Sequence, residues 1–127
     1  MKQIALEWVK KAEGDYKIAL REMRTKSPVY DAVCFHAQQC LEKYFKALLT
    51  DKEIAFPRTH DLAVLLKLAA GVAPGLEGYS EELSELTAFA VAFRYPGEEA
   101  TEREALEAVA TMKGARKALR KVLPHLE

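Results

Sequence analysis

The sequence lacks the features that mark several large classes of protein. Its 127 residues include only two cysteines, Cys34 and Cys40, with no CxxC pair and no Cys/His cluster, so a metal site is not expected. No apolar run approaches the ~18 residues of a transmembrane helix, and the longest, residues 62–70, is interrupted by Lys67. Charge is balanced, with 19 Lys and Arg against 19 Asp and Glu, so no global positive field attracts nucleic acid or an anionic membrane.

Motifs of common enzyme classes are also missing. There is no nucleophile elbow, Walker loop, Rossmann glycine pattern or zincin helix. The first residues mix apolar and charged side chains before any run reaches the length of a signal-peptide core. The length suits one hydrophobic core. We therefore expect a cytoplasmic protein with a single domain over residues 1–127 and no metal or cofactor.

Apolar residues recur at spacings of three and four along most of the chain, which is typical of amphipathic helices. No alternating strand pattern, internal repeat or linker interrupts them. The two cysteines fall on different faces of the second predicted helix, so we expect buried, reduced thiols. The fold class predicted is all-α, a single up-and-down bundle of about five helices. The predicted segments are residues 3–24, 29–50, about 61–70, 80–94 and 101–123.

Residues at the predicted helix ends match known capping preferences. Thr59 or Asp61 can cap the third helix and Ser80 the fourth, while Thr101 with Glu104 has the form of a capping box. Gly71 is placed to end the third helix in a left-handed conformation. Gly114 costs the last helix about 1 kcal/mol relative to alanine, so we predict a tight helix crossing there.

A polar stripe runs along the second predicted helix. His36, Gln39, Lys43, Lys46 and Thr50 follow one another at spacings of three and four and so share one face. The stripe is either a solvated or interface face of an amphipathic helix or a surface that offers imidazole, amide and ammonium groups to a ligand. The imidazole of His36 is its least ordinary member.

Two further segments combine charge with helix ends. In Arg58-Thr59-His60-Asp61, local capping competes with anion binding by Arg58 and the free amides of the helix start. In Arg94-Tyr95-Pro96-Gly97, the guanidinium either satisfies the last carbonyls of the fourth helix or binds a phosphate. Tyr95, held extended by Pro96, either seals the core or stacks on a base.

The last helix ends in a basic half. Lys113, Arg116, Lys117, Arg120 and Lys121 all lie in its second half. Cations near a helix C-terminus are favourable without any ligand, which is the simpler interpretation.

Residues 35–46, His60-Asp61-Leu62 and Arg94-Tyr95-Pro96-Gly97 together resemble the HEPN domain family, named for higher eukaryotes and prokaryotes nucleotide-binding. The opening residues 8–15 are similar to the first helix of that family, so the likeness covers nearly the whole chain. The resemblance implies a helical bundle that commonly dimerises and is often encoded beside a minimal nucleotidyltransferase. Such pairs act as toxin and antitoxin, or as catalytic subunit and substrate-binding helper.

Many HEPN proteins are metal-independent ribonucleases that use an arginine and, after four to six intervening residues, a histidine. After Arg94 those positions hold Glu99, Ala100 and Thr101, so the motif is absent there. Arg120 and His125 have the right spacing, but Pro124 breaks the helix between them and we interpret the match as chance.

Three functions remain open from the sequence. The first is a dimeric accessory protein that acts with a nucleotidyltransferase and binds nucleotide or RNA. The second is a ribonuclease in which His36 or His60 replaces the missing histidine. The third is a purely structural dimerisation module. We favour the first, in which no residue is catalytic; the ligand-binding candidates are His36, Gln39, Lys43, Lys46, His60, Asp61, Arg94 and Tyr95.

Overall fold

A computed structural model describes residues 1–124 and residue 126 of the chain. Within that range the fold is helical throughout and contains no strand, which confirms the predicted all-α bundle. The elements are α1 (Gln3–Met23), α2 (Tyr30–Asp51), α3 (Leu62–Ala69), a 3-10 helix (Pro74–Tyr79), α4 (Ser80–Ala92) and α5 (Glu102–Val122).

Helix α2 is the centre of the bundle. It contacts α1, α3, α4 and α5, and most of its apolar side chains are buried, whereas Phe35 is 37% exposed. Tyr44, Phe45 and Leu48 are among the largest buried side chains. Because neighbours surround it, α2 must also bury polar residues on the faces between its apolar rows. None of the helices described is both long enough and apolar enough to cross a membrane.

Two predicted helix caps are confirmed. The Asp61 carboxylate caps α3 by accepting a hydrogen bond from the Ala63 amide at 2.9 Å. At the start of α5, Thr101 Oγ1 accepts from the Glu104 amide at 3.1 Å and the Glu104 carboxylate accepts from the Thr101 amide at 2.8 Å. This reciprocal pair is the capping box predicted from the sequence.

Two predicted helix ends are wrong. Ser80 is the first residue of α4 and not its cap, because the 3-10 helix runs directly into α4 and places Tyr79 at the cap position. Gly71 is not left-handed, since among the glycines only Gly97 has a positive φ, at 93°. Helix α3 ends instead in a tight turn in which the Ala70 amide donates to the Lys67 carbonyl at 3.3 Å.

The predicted helix crossing at Gly114 is also wrong, although the glycine does allow a close approach. A Cβ atom at this position would collide with the hydroxyl and ring of Tyr79, the last residue of the 3-10 helix. The missing side chain of Gly114 therefore makes room for a tyrosine ring and not for another helix backbone.

Candidate functional site

The predicted polar stripe on α2 is divided between two buried carboxylates. One is Asp15 of α1, which is 7% exposed. His36 Nδ1 lies 2.8 Å from Asp15 Oδ1, and Lys43 Nζ lies 2.7 Å from Asp15 Oδ2. The two groups are thus joined to α1, and Asp15 neutralises the Lys43 ammonium group within the bundle.

The second carboxylate is Glu42, within α2 itself. Lys46 Nζ lies 2.9 Å from Glu42 Oε2, and His60 Nδ1 lies 2.9 Å from Glu42 Oε1. The amides of Gln38 and Gln39 also donate to Oε1, at 3.2 and 3.3 Å. Burial by itself raises the pKa of Glu42, but the hydrogen bonds from Lys46, His60 and Gln38 outweigh it and hold the pKa below its usual value. Glu42 is therefore ionised at neutral pH.

Lys46 is part of the interior and not of a solvated face. It is 8% exposed, and its ammonium group lies 5.6 Å from the ring centre of Trp8 and 5.9 Å from that of Phe56. Two aromatic faces and one carboxylate thus surround the charge. Lys43 and Lys46, proposed from the sequence as ligand-binding cations, both have partners within the protein.

His60 and Arg94 line the same groove, although 33 residues separate them in the sequence. The groove has a volume of about 250 Å³ and lies between α2, the start of α3 and the end of α4. Its apolar wall includes Phe35, Ala90 and Val91, and its polar lining is Gln38, Gln39, Thr87, His60 and Arg94. Three predicted site residues, Gln39, His60 and Arg94, therefore converge.

The Arg94 guanidinium is not used by the fold. Within residues 1–124 no carbonyl or carboxylate accepts a hydrogen bond from it, so capping of α4 by this side chain is not observed. Helix α4 ends at Ala92, and the Arg94 amide donates to the Val91 carbonyl at 3.4 Å, which turns the chain at the rim of the groove. The side chain is exposed there.

The other predicted site residues lie elsewhere. The lining residues described do not include His36, which packs edge-on against Phe35 with ring centres 5.2 Å apart. The Asp61 carboxylate occupies the start of α3, where an anion would otherwise bind. Tyr95 is 62% exposed, so it does not seal the core.

Sequence reasoning missed Asp15, Glu42 and a third polar cluster between α1, α2 and α5. In that cluster the Arg116 guanidinium binds the Glu13 carboxylate through two hydrogen bonds of 2.7 and 2.8 Å, and the Tyr44 hydroxyl donates to Glu13 and accepts from Arg120. Burial by itself raises the pKa of Glu13. The hydrogen bonds from Arg116 and Tyr44 lower it by more, so the pKa is below its usual value. Only the i, i+4 spacing of Gln38, Glu42 and Lys46 was a local signal for any of these contacts.

The fold and the groove define a small all-α bundle in which an arginine with no partner among the described residues lies beside an imidazole and side-chain amides. The family model described as the HEPN domain matches residues 5–122, and the chain belongs to that family. Comparison with curated proteins and with solved structures gives no significant match.

The standard ribonuclease pair of the family is not assembled at Arg94, where no histidine follows at the required spacing. Arg120, the other arginine with a suitably spaced histidine, donates to the Tyr44 hydroxyl at 2.7 Å, while His125 lies outside the described residues. The described part of the chain also has no group of three His, Cys, Asp or Glu residues able to hold a metal ion.

Proposed function

We propose that this HEPN protein binds a nucleotide or RNA phosphate in the groove between α2, α3 and α4. In this proposal it acts as a homodimeric accessory subunit of a minimal nucleotidyltransferase, either as substrate-binding helper or as toxin–antitoxin partner. One observation carries the ligand assignment: Arg94 faces the groove with no protein partner among the described residues, whereas Lys43 and Lys46 are ion-paired.

The chemistry of the groove suits a phosphate. The planar guanidinium of Arg94 offers a fork of donors that matches two phosphate oxygens. His60 and Gln39 add further polar groups to the groove, and Phe35 with Val91 supplies an apolar surface for a base or sugar. The volume of about 250 Å³ lies below the range of roughly 300–1,000 Å³ of enclosed drug-sized sites, so part of a nucleotide would project from the groove.

Titration with nucleoside monophosphates tests the ligand assignment. Loss of a charged hydrogen-bond donor costs about 1.5–3 kcal/mol, so Arg94→Ala should weaken binding roughly 10- to 100-fold. The matched control is Arg103→Ala, since Arg103 is also exposed, lies on α5 and pairs with Glu107 at 3.4 Å. Unchanged affinity in Arg94→Ala would remove the groove as the phosphate site.

The partner assignment has a separate test. Affinity purification of the chain from its native cells should recover a small nucleotidyltransferase, and the neighbouring gene should encode one. Recovery of the chain as a homodimer with neither a nucleotidyltransferase nor nucleotide affinity would favour the purely structural dimerisation module.

A second candidate function is metal-independent ribonuclease activity, and the contact between Glu42 and His60 favours it. Glu42 holds Nδ1 of His60, which leaves Nε2 to take a proton from a 2′-hydroxyl. Arg94 lines the same groove, where its charge would stabilise the phosphate in the transition state. His60 would then replace the histidine missing after Arg94.

Incubation of purified protein with mixed RNA under chelator separates the two candidates. Binding without catalysis predicts no cleavage above the buffer control. Cleavage that is lost in both His60→Ala and Arg94→Ala but kept in His36→Ala would establish the ribonuclease instead, because His36 is bonded to Asp15 outside the groove.

A further inference from the structure

Three lysines form a row on the outer face of α5. Lys113, Lys117 and Lys121, the lysine row, recur every four residues and are therefore about 6 Å apart along the helix. All three are exposed, and in residues 1–124 none has an ion pair or a side-chain hydrogen bond. The row is thus a line of charge with no counterion among the described residues, on a protein whose formal net charge is zero.

The helix dipole explains only the end of the row. Cations interact favourably with a helix C-terminus, but the effect falls off within the last turn. Lys121 lies in that turn of α5, which ends at Val122. Lys117 and Lys113 lie one and two turns earlier, where the dipole contributes little.

The row lies between two grooves, and the described residues that line them include no carboxylate. One has a volume of about 550 Å³ and includes Tyr16, Arg116 and Arg120, and the other has about 410 Å³ and includes Leu76 and Tyr79. Both are bordered by Lys117 and Lys121. The potential along this face is therefore positive on both sides of the row.

Arg116 is a rigid part of this face. Its guanidinium is fixed by Glu13 through two hydrogen bonds and lies 3.9 Å from the ring centre of Tyr16, on which it stacks. Because the Glu13 carboxylate is paired with Arg116, it does not neutralise the lysines of the row. The Tyr16 ring, with Arg116 over one face, thus lies beside a cationic ridge, and single-strand-binding surfaces combine aromatic rings with such ridges.

We propose that the lysine row binds the sugar–phosphate backbone of single-stranded RNA, as a surface separate from the groove at Arg94. The 6 Å repeat of the row is close to the spacing of successive phosphates in a single strand, so several lysines can each meet one phosphate. The proposal goes beyond the proposed function, because it does not require Arg94 to bind anything.

A membrane surface fits this face less well. A helix that binds an anionic bilayer needs exposed apolar residues beside its lysines to enter the lipid. The apolar face of α5, with Met112, Ala115 and Leu119, is buried in the core of the bundle. Leu106, two turns before Lys113, is the one exposed large apolar side chain of α5, and a single such residue makes a small wedge, which favours a polyanion in water.

The two surfaces are far enough apart for separate assays. Tyr79, which packs on Gly114, precedes α4, and Arg94 follows it. The 13 residues of α4 span about 20 Å, so a mononucleotide held at Arg94 does not reach the lysine row.

The test uses the triple variant Lys113→Gln, Lys117→Gln and Lys121→Gln of the full chain. Fluorescence anisotropy measures its binding to a labelled oligouridylate of roughly 16 nucleotides over a range of salt concentrations. Loss of three phosphate contacts should weaken binding at least tenfold at low salt and reduce the slope of log K against log salt by about 2. Lys117→Gln alone should reduce that slope by about 0.7.

The matched control is Lys10→Gln, Lys11→Gln and Lys26→Gln, which removes three exposed lysines from elsewhere and should leave most of the affinity intact. The proposal would be overturned if both triple variants lost the same amount of oligonucleotide affinity, or if the lysine-row variant lost none. Lysine-dependent binding to phosphatidylserine vesicles without binding to the oligonucleotide would also overturn it.

Mononucleotide affinity separates this proposal from the previous one. The lysine-row variant should bind nucleoside monophosphates as tightly as the wild type, whereas Arg94→Ala should not. One set of titrations can therefore reject nucleotide binding in the groove while supporting RNA binding by the lysine row, or the reverse.

Discussion

His60 Nδ1 lies 2.9 Å from Glu42 Oε1, so a side chain that is 80% exposed is bonded to a carboxylate that is 5% exposed. Gln38 strengthens this link, because its amide donates both to Glu42 at 3.2 Å and to the His60 carbonyl at 2.7 Å. The orientation of the imidazole at the groove thus depends on a charge inside the bundle. The same carboxylate also neutralises Lys46.

Removal of the Glu42 charge should lower stability in a pH-dependent way. Glu42→Gln leaves the Lys46 ammonium buried without its counterion, which costs about 3 kcal/mol at neutral pH. The pKa of Glu42 is below its reference value of 4.5, so its contribution is complete above that value and is lost as the pH falls through the folded pKa. Urea unfolding at several pH values should show the wild type and the variant converging below about pH 4.5.

Glu99→Gln, at an exposed position, is the control for this experiment and should follow the wild type at every pH. Stability curves of wild type and Glu42→Gln that stay parallel from neutral pH into acid would contradict the assigned role of Glu42.

Local rules predicted the helices because their causes are local. The period of apolar residues, the Thr101 capping box and the prolines act over a few positions, and α2, predicted at residues 29–50, forms at Tyr30–Asp51. Ser80 is not a cap because the preceding 3-10 helix continues into α4. Capping preferences describe single residues and do not take a preceding helix into account.

The site was less predictable because its contacts join distant segments. His36 and Lys43 meet Asp15 across 21 and 28 positions, and His60 meets Glu42 across 18. In the sequence Asp15 and Glu42 look like ordinary surface acids, and only the i, i+4 spacing of Glu42 and Lys46 indicated a pairing with the stripe. The convergence of His60 with Arg94 likewise depends on how α3 and α4 pack on α2.

Asp15→Asn should lower stability and leave nucleotide binding unchanged. The variant removes the charge that pairs with His36 and Lys43, both partly buried, and we expect a loss of about 2 kcal/mol in the free energy of unfolding. Glu107→Gln, whose exposed partner Arg103 is 3.4 Å away, should lose at most about 0.5 kcal/mol in the same urea titration. A loss of mononucleotide affinity in Asp15→Asn would mean that the two carboxylate clusters form one site.

The two cysteines should be unreactive in the folded protein. Burial, with the nearby charges of Glu104 and Asp31, raises the pKa of Cys34 to about 12, and burial also raises the pKa of Cys40. Since the thiolate is the reactive form, a chromogenic disulfide reagent near pH 8 should label neither thiol until denaturant is added, and then both. Rapid labelling of one thiol without denaturant would show that its helix opens locally.

Gly114 and Tyr79 should show strong coupling in a double-mutant cycle. Alanine at position 114 gains about 1 kcal/mol of helix propensity, but its Cβ displaces the Tyr79 ring. Gly114→Ala should therefore lower the melting temperature of the wild type, yet raise it when Tyr79→Ala has already vacated the space. Thermal unfolding of the wild type, the two single variants and the double variant shows whether Gly114→Ala raises or lowers the melting temperature in each background. Stabilisation by the same amount in both would show that the ring does not hold position 114 as glycine.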